Sequence, residues 1–194
     1  LESGDYLTPV LNGLPHFSKP PLTYWLSALG MALFGICELG AKAFLPWIGV
    51  AAILGCYQIG LLLGTTRMAL CSAFVLMTSS LFLGLFKSLT ADPLLATCET
   101  WMVWALLAYC QQPSWRRGIL FWFFAAFGML TKGFPALLPL LGLIPVLWYF
   151  DRKNRVSSLL QMKAGWIIFL TIGLGWYLAM AAMTPGLFQY FLVH

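Results

Sequence analysis

Charge is what this chain has least of: eleven Lys and Arg and six Asp and Glu among 194 residues, 9% in all. Soluble domains carry about a quarter. With 61% hydrophobic residues and a mean hydropathy of +0.86, a soluble fold is excluded. The chain also lacks a glycine-rich phosphate loop, an internal repeat, a low-complexity tract and a flexible linker. Its net charge of +5 is scattered between apolar runs and forms no continuous basic patch, which argues against nucleic acid as a partner. Cys37, Cys56, Cys71, Cys98 and Cys110 fall in or beside apolar runs with no C-x-x-C spacing, so neither a disulfide framework nor a metal knuckle is encoded. His16 and His194 have no ligand partner at helical spacing, and no metal site is assigned to either.

What is present is a pattern in the basic residues. Arg67, Arg116, Arg117, Arg152, Lys153, Arg155 and Lys163 lie between apolar runs at one set of ends, whereas Lys19, Lys42, Lys87 and Lys132 lie at the other. The first set reads as the cytoplasmic loops of a multi-pass membrane protein under the positive-inside rule. The second set stands on the wrong side for topology and needs another reason to exist.

The runs themselves predict an all-α polytopic membrane protein with six spans: Ala41–Gly64, Met68–Phe86, Pro93–Cys110, Gly118–Leu130, Phe134–Phe150 and Ala164–Met183. Leu22–Phe34 is too short for the ~20 residues a span needs, and its Tyr24-Trp25 pair suits the headgroup level, so it reads as an interfacial helix. Lys132-Gly133-Phe134-Pro135 reads as a hairpin turn, Gly ending one helix and Pro starting the next. The start at Leu1 without Met and the abrupt end at His194 are expected of an internal piece of a longer protein. Residues 1–194 are taken as part of one transmembrane domain.

Parity places four stretches on the non-cytoplasmic face: His16 to Pro21, Lys87 to Pro93, Leu130 to Gly133, and Trp176 to His194. They offer lysines, an aspartate, hydroxyls and aromatics where lipid meets water, a combination suited to gripping a lipid phosphate. Asp92 before Pro93 is either a helix N-cap or a charged member of that site. Lys132 complements a helix dipole or joins the site. Lys87 and Lys42 read as snorkelling or loop residues. Lys19, in a rigid Ser-Lys-Pro-Pro turn with no adjacent acid, is the residue best suited to hold phosphate. Glu99 lies two turns below Asp92 on the same helix face and should face the bundle or a cavity.

The ordered pieces Leu1-Glu2-Ser3-Gly4-Asp5-Tyr6-Leu7-Thr8-Pro9, Lys19-Pro20-Pro21-Leu22-Thr23-Tyr24-Trp25, Phe34-Gly35 with Glu38-Leu39-Gly40-Ala41, Thr90-Ala91-Asp92-Pro93-Leu94, Leu130-Thr131-Lys132-Gly133 and Trp176-Tyr177-Leu178-Ala179 run the length of the chain. In that order they resemble the membrane glycosyltransferases that use polyprenyl-phosphate sugars, a group that includes the bacterial aminoarabinose transferases and the protein O-mannosyltransferase-like enzymes. The resemblance implies a fragment of the GT-C fold in the bacterial inner membrane, with its active face extracytoplasmic. It implies transfer of a sugar from a polyprenyl-phosphate donor to a lipid A-like or protein acceptor.

It further implies that Lys19 contacts the lipid phosphate and that Asp92 organises the site. Lys132, Lys87 and Tyr24 complete the expected substrate-binding set. The principal catalytic aspartate is expected in an Asp-Glu pair upstream of Leu1. No cofactor is assigned, and a divalent cation is the one the pattern leaves room for. Where some relatives carry Glu before the Lys-Pro pair this chain has Ser18, which weakens a metal site there. Two other readings use the same basic residues: a flippase for lipid-linked sugars, and a non-catalytic subunit that binds lipid phosphate.

Overall fold

The computed structural model describes residues 7–8, 10–11, 14–15, 17, 19–150 and 154–184. Before the helices, β1 (Val10–Leu11) and β2 (Leu14–Pro15) pair antiparallel as a small hairpin. The regular elements described after them are all helices.

Pro20 and Pro21 are buried and launch α1 (Leu22–Phe34), whose bounds are those expected. Its buried face holds Thr23, Ser27 and Gly30, while Leu29, Leu33 and Phe34 are exposed. Polar and small residues inward with large apolar residues outward is the pattern of a helix that faces lipid. Gly35 ends it at φ +91°, a backbone state that suits glycine. α2 (Glu38–Lys42) folds back against α1 so closely that a Cβ on Gly30 would lie 2.2 Å from the Gly40 carbonyl oxygen.

α3 (Leu45–Leu63) then runs to the arginine end, and α4 (Thr66–Thr78) with α5 (Ser80–Leu85) returns along it. Gly60 against Ala69 marks one end of this antiparallel pair, and Gly49 against Phe86 the other. The expected single span is broken at Ser79, which is extended (ψ 127°). The Thr78 hydroxyl donates to the Phe74 and Val75 carbonyls at 2.9 and 3.3 Å, and two serines follow. Such side-chain bonds compete with the helical ladder.

The centre of the bundle is the antiparallel pair α6 (Asp92–Gln111) and α7 (Trp115–Lys132). Met102, Ala105, Leu106, Phe121, Ala125 and Ala126 form its almost solvent-free core. Gly133 follows α7 at φ +77°, ψ −144°, and a 3₁₀ turn Phe134–Leu137 leads into α8 (Leu138–Phe150), so the expected hairpin is present.

The stretch expected as the last inner loop is not wholly a loop. Residues 155–160 form α9 (Arg155–Leu160), with Val156 and Leu159 buried in the core and the Leu159 carbonyl accepting from the Trp122 indole at 3.2 Å. The final pass is also bent. α10 (Lys163–Ile168) runs into a π turn at Phe169–Gly173, and α11 (Gly175–Met183) leaves at 45°. The extra residue of a π turn, between two glycines, supplies the kink.

Among the described residues the helices group into passes that run between the two ends of the bundle. Glu38–Leu63 and Asp92–Gln111 are long and apolar enough to cross a membrane unaided, and the bent pair Lys163–Gly173 with Gly175–Met183 makes a third. The remaining passes are shorter or broken. Trp47, Leu54, Phe74, Val75, Leu81, Leu141 and Trp148 all stand exposed, the inside-out surface of a membrane protein.

Candidate functional site

Each helix arrives at the non-arginine end for a local reason, and four meet there. Leu22 opens α1, Leu94 opens α6, Leu130 closes α7 and Met180 lies near the end of α11; these four pack together with Cys98 and Trp176. The Trp176 indole donates to the Leu7 carbonyl at 2.9 Å, drawing the N-terminal stretch over the same end. The expected convergence is present through Phe17, Leu130 and Trp176, and through Leu94 directly after the Lys87 to Pro93 stretch. Ser18, His16 and residues 185–194 lie outside the described residues.

Asp92 is not the N-cap. Ala91 occupies that position, no side chain caps the helix, and Asp92 is its first residue, ahead of Pro93. Its carboxylate instead accepts from the Lys132 ammonium across the α6–α7 seam. Helix polarity favours both placements, an acid in a first turn and a base in a last turn. Both side chains keep about 40% of their surface open to solvent (40% and 42%), so the pair rims an open site. Glu99 is half-buried deeper on α6, within electrostatic reach of Lys132.

Lys19 is exposed at the turn into α1 and has no ion pair among the described residues. Tyr24, one turn into α1, is 41% exposed, and partial burial pushes its phenol above the ordinary value of 10.0. Lys87 is exposed just beyond α5 and likewise makes no ion pair among the described residues. Lys42 is accounted for otherwise: it pairs with Glu38 one turn back at 2.6 Å.

Two groups escaped the reading of the sequence. The hydroxyls of Thr23 and Thr90 are buried and have no hydrogen-bond partner, at the start of α1 and two residues before α6. Unmet buried hydroxyls are uncommon and carry a desolvation cost unless water or ligand reaches them. The signal was available in part: a threonine in the first turn after Pro21 has no helical carbonyl four residues back. Among the described residues no group of three or more His, Cys, Asp or Glu is arranged to hold a metal ion. The Asp92 carboxylate is already engaged by Lys132.

At the opposite end the arginines do more than set topology. Arg117 donates to the Ala108 and Gln112 carbonyls at 3.1 and 2.7 Å, and Arg155 donates to those of Cys110 and Gln111. Together they close the C-terminus of α6, supplying donors to the Cys110, Gln111 and Gln112 carbonyls and a second donor to that of Ala108, which the Gln112 amide also reaches at 3.0 Å.

Comparison with known proteins gives a consistent picture. The profile of the dolichyl-phosphate-mannose-protein mannosyltransferase family matches residues 18–177. An undecaprenyl phosphate-alpha-4-amino-4-deoxy-L-arabinose arabinosyl transferase of Edwardsiella ictaluri (strain 93-146) is 30% identical over 201 residues, covering 98% of this chain and 35% of that protein. The protein of that name from Pseudomonas savastanoi pv. phaseolicola (strain 1448A / Race 6) is 29% identical and covers 100% of this chain and 37% of its own length. The chain thus spans about a third of the curated relatives it matches. Among solved structures, apo ArnT from Cupriavidus metallidurans superposes with a TM-score of 0.88 at 23% identity, over 100% of this chain and 37% of that one. The same protein bound to undecaprenyl phosphate gives 0.84. The fold is therefore that of ArnT, a GT-C membrane fold.

Proposed function

The chain belongs to the dolichyl-phosphate-mannose-protein mannosyltransferase family, and from that premise we propose that it is part of a glycosyltransferase that takes its sugar from a polyprenyl-phosphate carrier. The relatives' names favour undecaprenyl phosphate as the carrier and 4-amino-4-deoxy-L-arabinose as the sugar. The acceptor is a lipid A-like or protein group, and the reaction takes place at the non-cytoplasmic face of the bacterial inner membrane.

The observation that carries this reading is the arrangement at the α1, α6 and α7 ends. Lys19, which has no ion pair among the described residues, lies between Phe17 and Leu22, and both of these pack with Leu94 and Leu130 at the end that holds the Asp92–Lys132 pair; Thr23 and Thr90, with their unmet hydroxyls, belong to the same helix starts. In the proposed reaction an acceptor oxygen attacks the anomeric carbon, the bond from that carbon to the carrier phosphate breaks, and the acceptor proton passes to a carboxylate. The lipid phosphate leaves with a full negative charge. Lys19 is assigned to that charge, because an ammonium aimed at a developing anion stabilises the transition state more than the ground state. Asp92 fixes Lys132 at the rim and makes it a positioned cation. Lys87 and Tyr24 flank the donor headgroup. The general base is assigned to an Asp-Glu pair upstream of this chain, so residues 1–194 alone are proposed to be inactive.

The test is to incubate purified full-length protein with labelled undecaprenyl-phosphate aminoarabinose and a lipid A acceptor. Consumption of donor with label on the acceptor is the expected result. Movement of donor across vesicles without consumption would sink the transferase reading in favour of a flippase, and neither outcome would leave a binding subunit.

A further inference from the structure

We propose that the arginine end of the bundle carries a second anion site, which takes the phosphate headgroup of an anionic phospholipid from the adjacent leaflet. A cavity of about 330 Å³ opens there between α6, α7 and α9, lined by Tyr109, Pro113, Ser114, Trp115, Ser158 and Met162. Its wall is partly polar. Tyr109 and Ser158 share a long hydrogen bond of 3.3 Å, so both hydroxyls retain capacity for a phosphate oxygen.

Four of the described cations of this end lie on or next to the segments that line the cavity, and they divide in two. Arg117 and Arg155 are committed to the α6 carbonyls. Arg116 and Lys163 adjoin the lining residues Trp115 and Met162; both are exposed, and neither forms an ion pair among the described residues. Among the described residues no acid stands at this end, since Glu38, Asp92 and Glu99 all belong to the other half of the bundle; Asp151, beside Arg152 and Lys153, lies outside them. Local positive charge around a hydroxylated cavity selects an anion with several acceptor oxygens. The first turn of α7 adds its own positive dipole end, where Ser114 accepts from the Arg117 amide at 3.4 Å.

The lipid source follows from the neighbours. Trp115 is 65% exposed beside the cavity, and Trp166 and Ile167 on α10, 44% and 62% exposed, present apolar surface one turn beyond Lys163. A headgroup in the cavity leaves its acyl chains on that surface. Basic pockets between helices at the positively biased face are suited to anionic headgroups.

The test uses full-length protein in detergent, with bound phosphatidylglycerol counted by native mass spectrometry against phosphatidylcholine. Arg116→Gln with Lys163→Gln should weaken the tightest phosphatidylglycerol site by roughly tenfold or more, in line with two lost interfacial charges. Arg67→Gln serves as control, being exposed at the same end but on α4, which packs against α3. It should leave that site unchanged. Equal loss in the control would mean a diffuse basic surface and overturn the proposal, as would no loss in the double variant. Displacement by millimolar inorganic phosphate would assign the site to free phosphate and overturn the lipid source. Should the double variant fail to fold, Ser158→Leu, an uncharged change at an exposed wall position, decides the matter. Several-fold weaker binding supports the site, and unchanged binding removes it. Donor turnover in the same samples reports separately on the outer site.

Discussion

Lys132, the last residue of α7, donates to Asp92, the first residue of α6, across forty positions of sequence. Neither residue caps its own helix. The two ends are tied to each other at the rim of the bundle, beside the turn that presents Lys19.

This geometry separates two roles for Asp92. The pair is about 40% exposed on both sides, so its loss should cost well under ~1 kcal/mol of stability once solvent screening is counted. Asp92→Asn is expected to insert and fold normally, with a thermal midpoint close to wild type, yet to depress sugar transfer at least tenfold. Near-normal transfer by the variant would reduce the pair to a helix tie.

Lys19 makes a sharper case, because it has no ion pair to lose among the described residues. Lys19→Ala should raise the donor KM and lower kcat with expression unchanged. Lys19→Arg should restore part of the activity, since a planar guanidinium replaces a compact ammonium imperfectly. Lys87→Ala should be mild. Wild-type kinetics for Lys19→Ala would refute the phosphate grip.

Topology is open to direct chemical test. Single cysteines at Ser88 and Gln161, both exposed, lie at opposite ends of the bundle. In a Cys-free background in intact cells, an impermeant thiol reagent should label Ser88→Cys and spare Gln161→Cys. The reverse pattern would invert the orientation and remove the outer-site argument.

Much of this was legible because its causes are local. The bounds of α1 follow from Pro20-Pro21 and Gly35, and the α7–α8 hairpin from Gly133 and Pro135. Among the described residues the two basic sets stay apart, Lys19, Lys42, Lys87 and Lys132 at one end of the bundle and Arg67, Arg116, Arg117, Arg155 and Lys163 at the other. What was illegible depends on partners distant in sequence. The cap reading of Asp92 stood level with the site reading because a carboxylate's acceptor capacity before Pro93 is visible locally, whereas its partner Lys132 is forty residues away. Arg117 and Arg155 looked like topology signals because the α6 carbonyls they close belong to another helix. Residues 155–160 looked like loop because six residues carry too little periodicity to reveal that Val156 and Leu159 are buried. The break at Ser79 and the π turn Phe169–Gly173 arise inside long apolar runs, where a few hydroxyl residues (Thr78, Ser79, Ser80, Thr171) do not by themselves announce a change of backbone.

The turn that holds Lys132 supplies the last prediction. Gly133 sits at φ +77°, ψ −144°, a region that essentially only glycine occupies, and a Cβ there would lie 3.0 Å from the Tyr177 hydroxyl oxygen. That hydroxyl is itself fixed, donating to the Met129 carbonyl at 3.1 Å within the last turn of α7. Gly133→Ala therefore strains the backbone and presses on a group that cannot yield without losing its own bond. A destabilisation of about 1–3 kcal/mol is expected from the backbone term alone. Because the strained peptide follows Lys132 directly, the ammonium should shift away from Asp92, and transfer should fall further than stability predicts. Combining the change with Tyr177→Phe separates the two effects: the phenylalanine removes the oxygen but leaves φ unchanged. Partial recovery of stability is the expected result, with transfer still low. Full recovery of both would show that the steric contact, and not the glycine backbone, sets the position of Lys132.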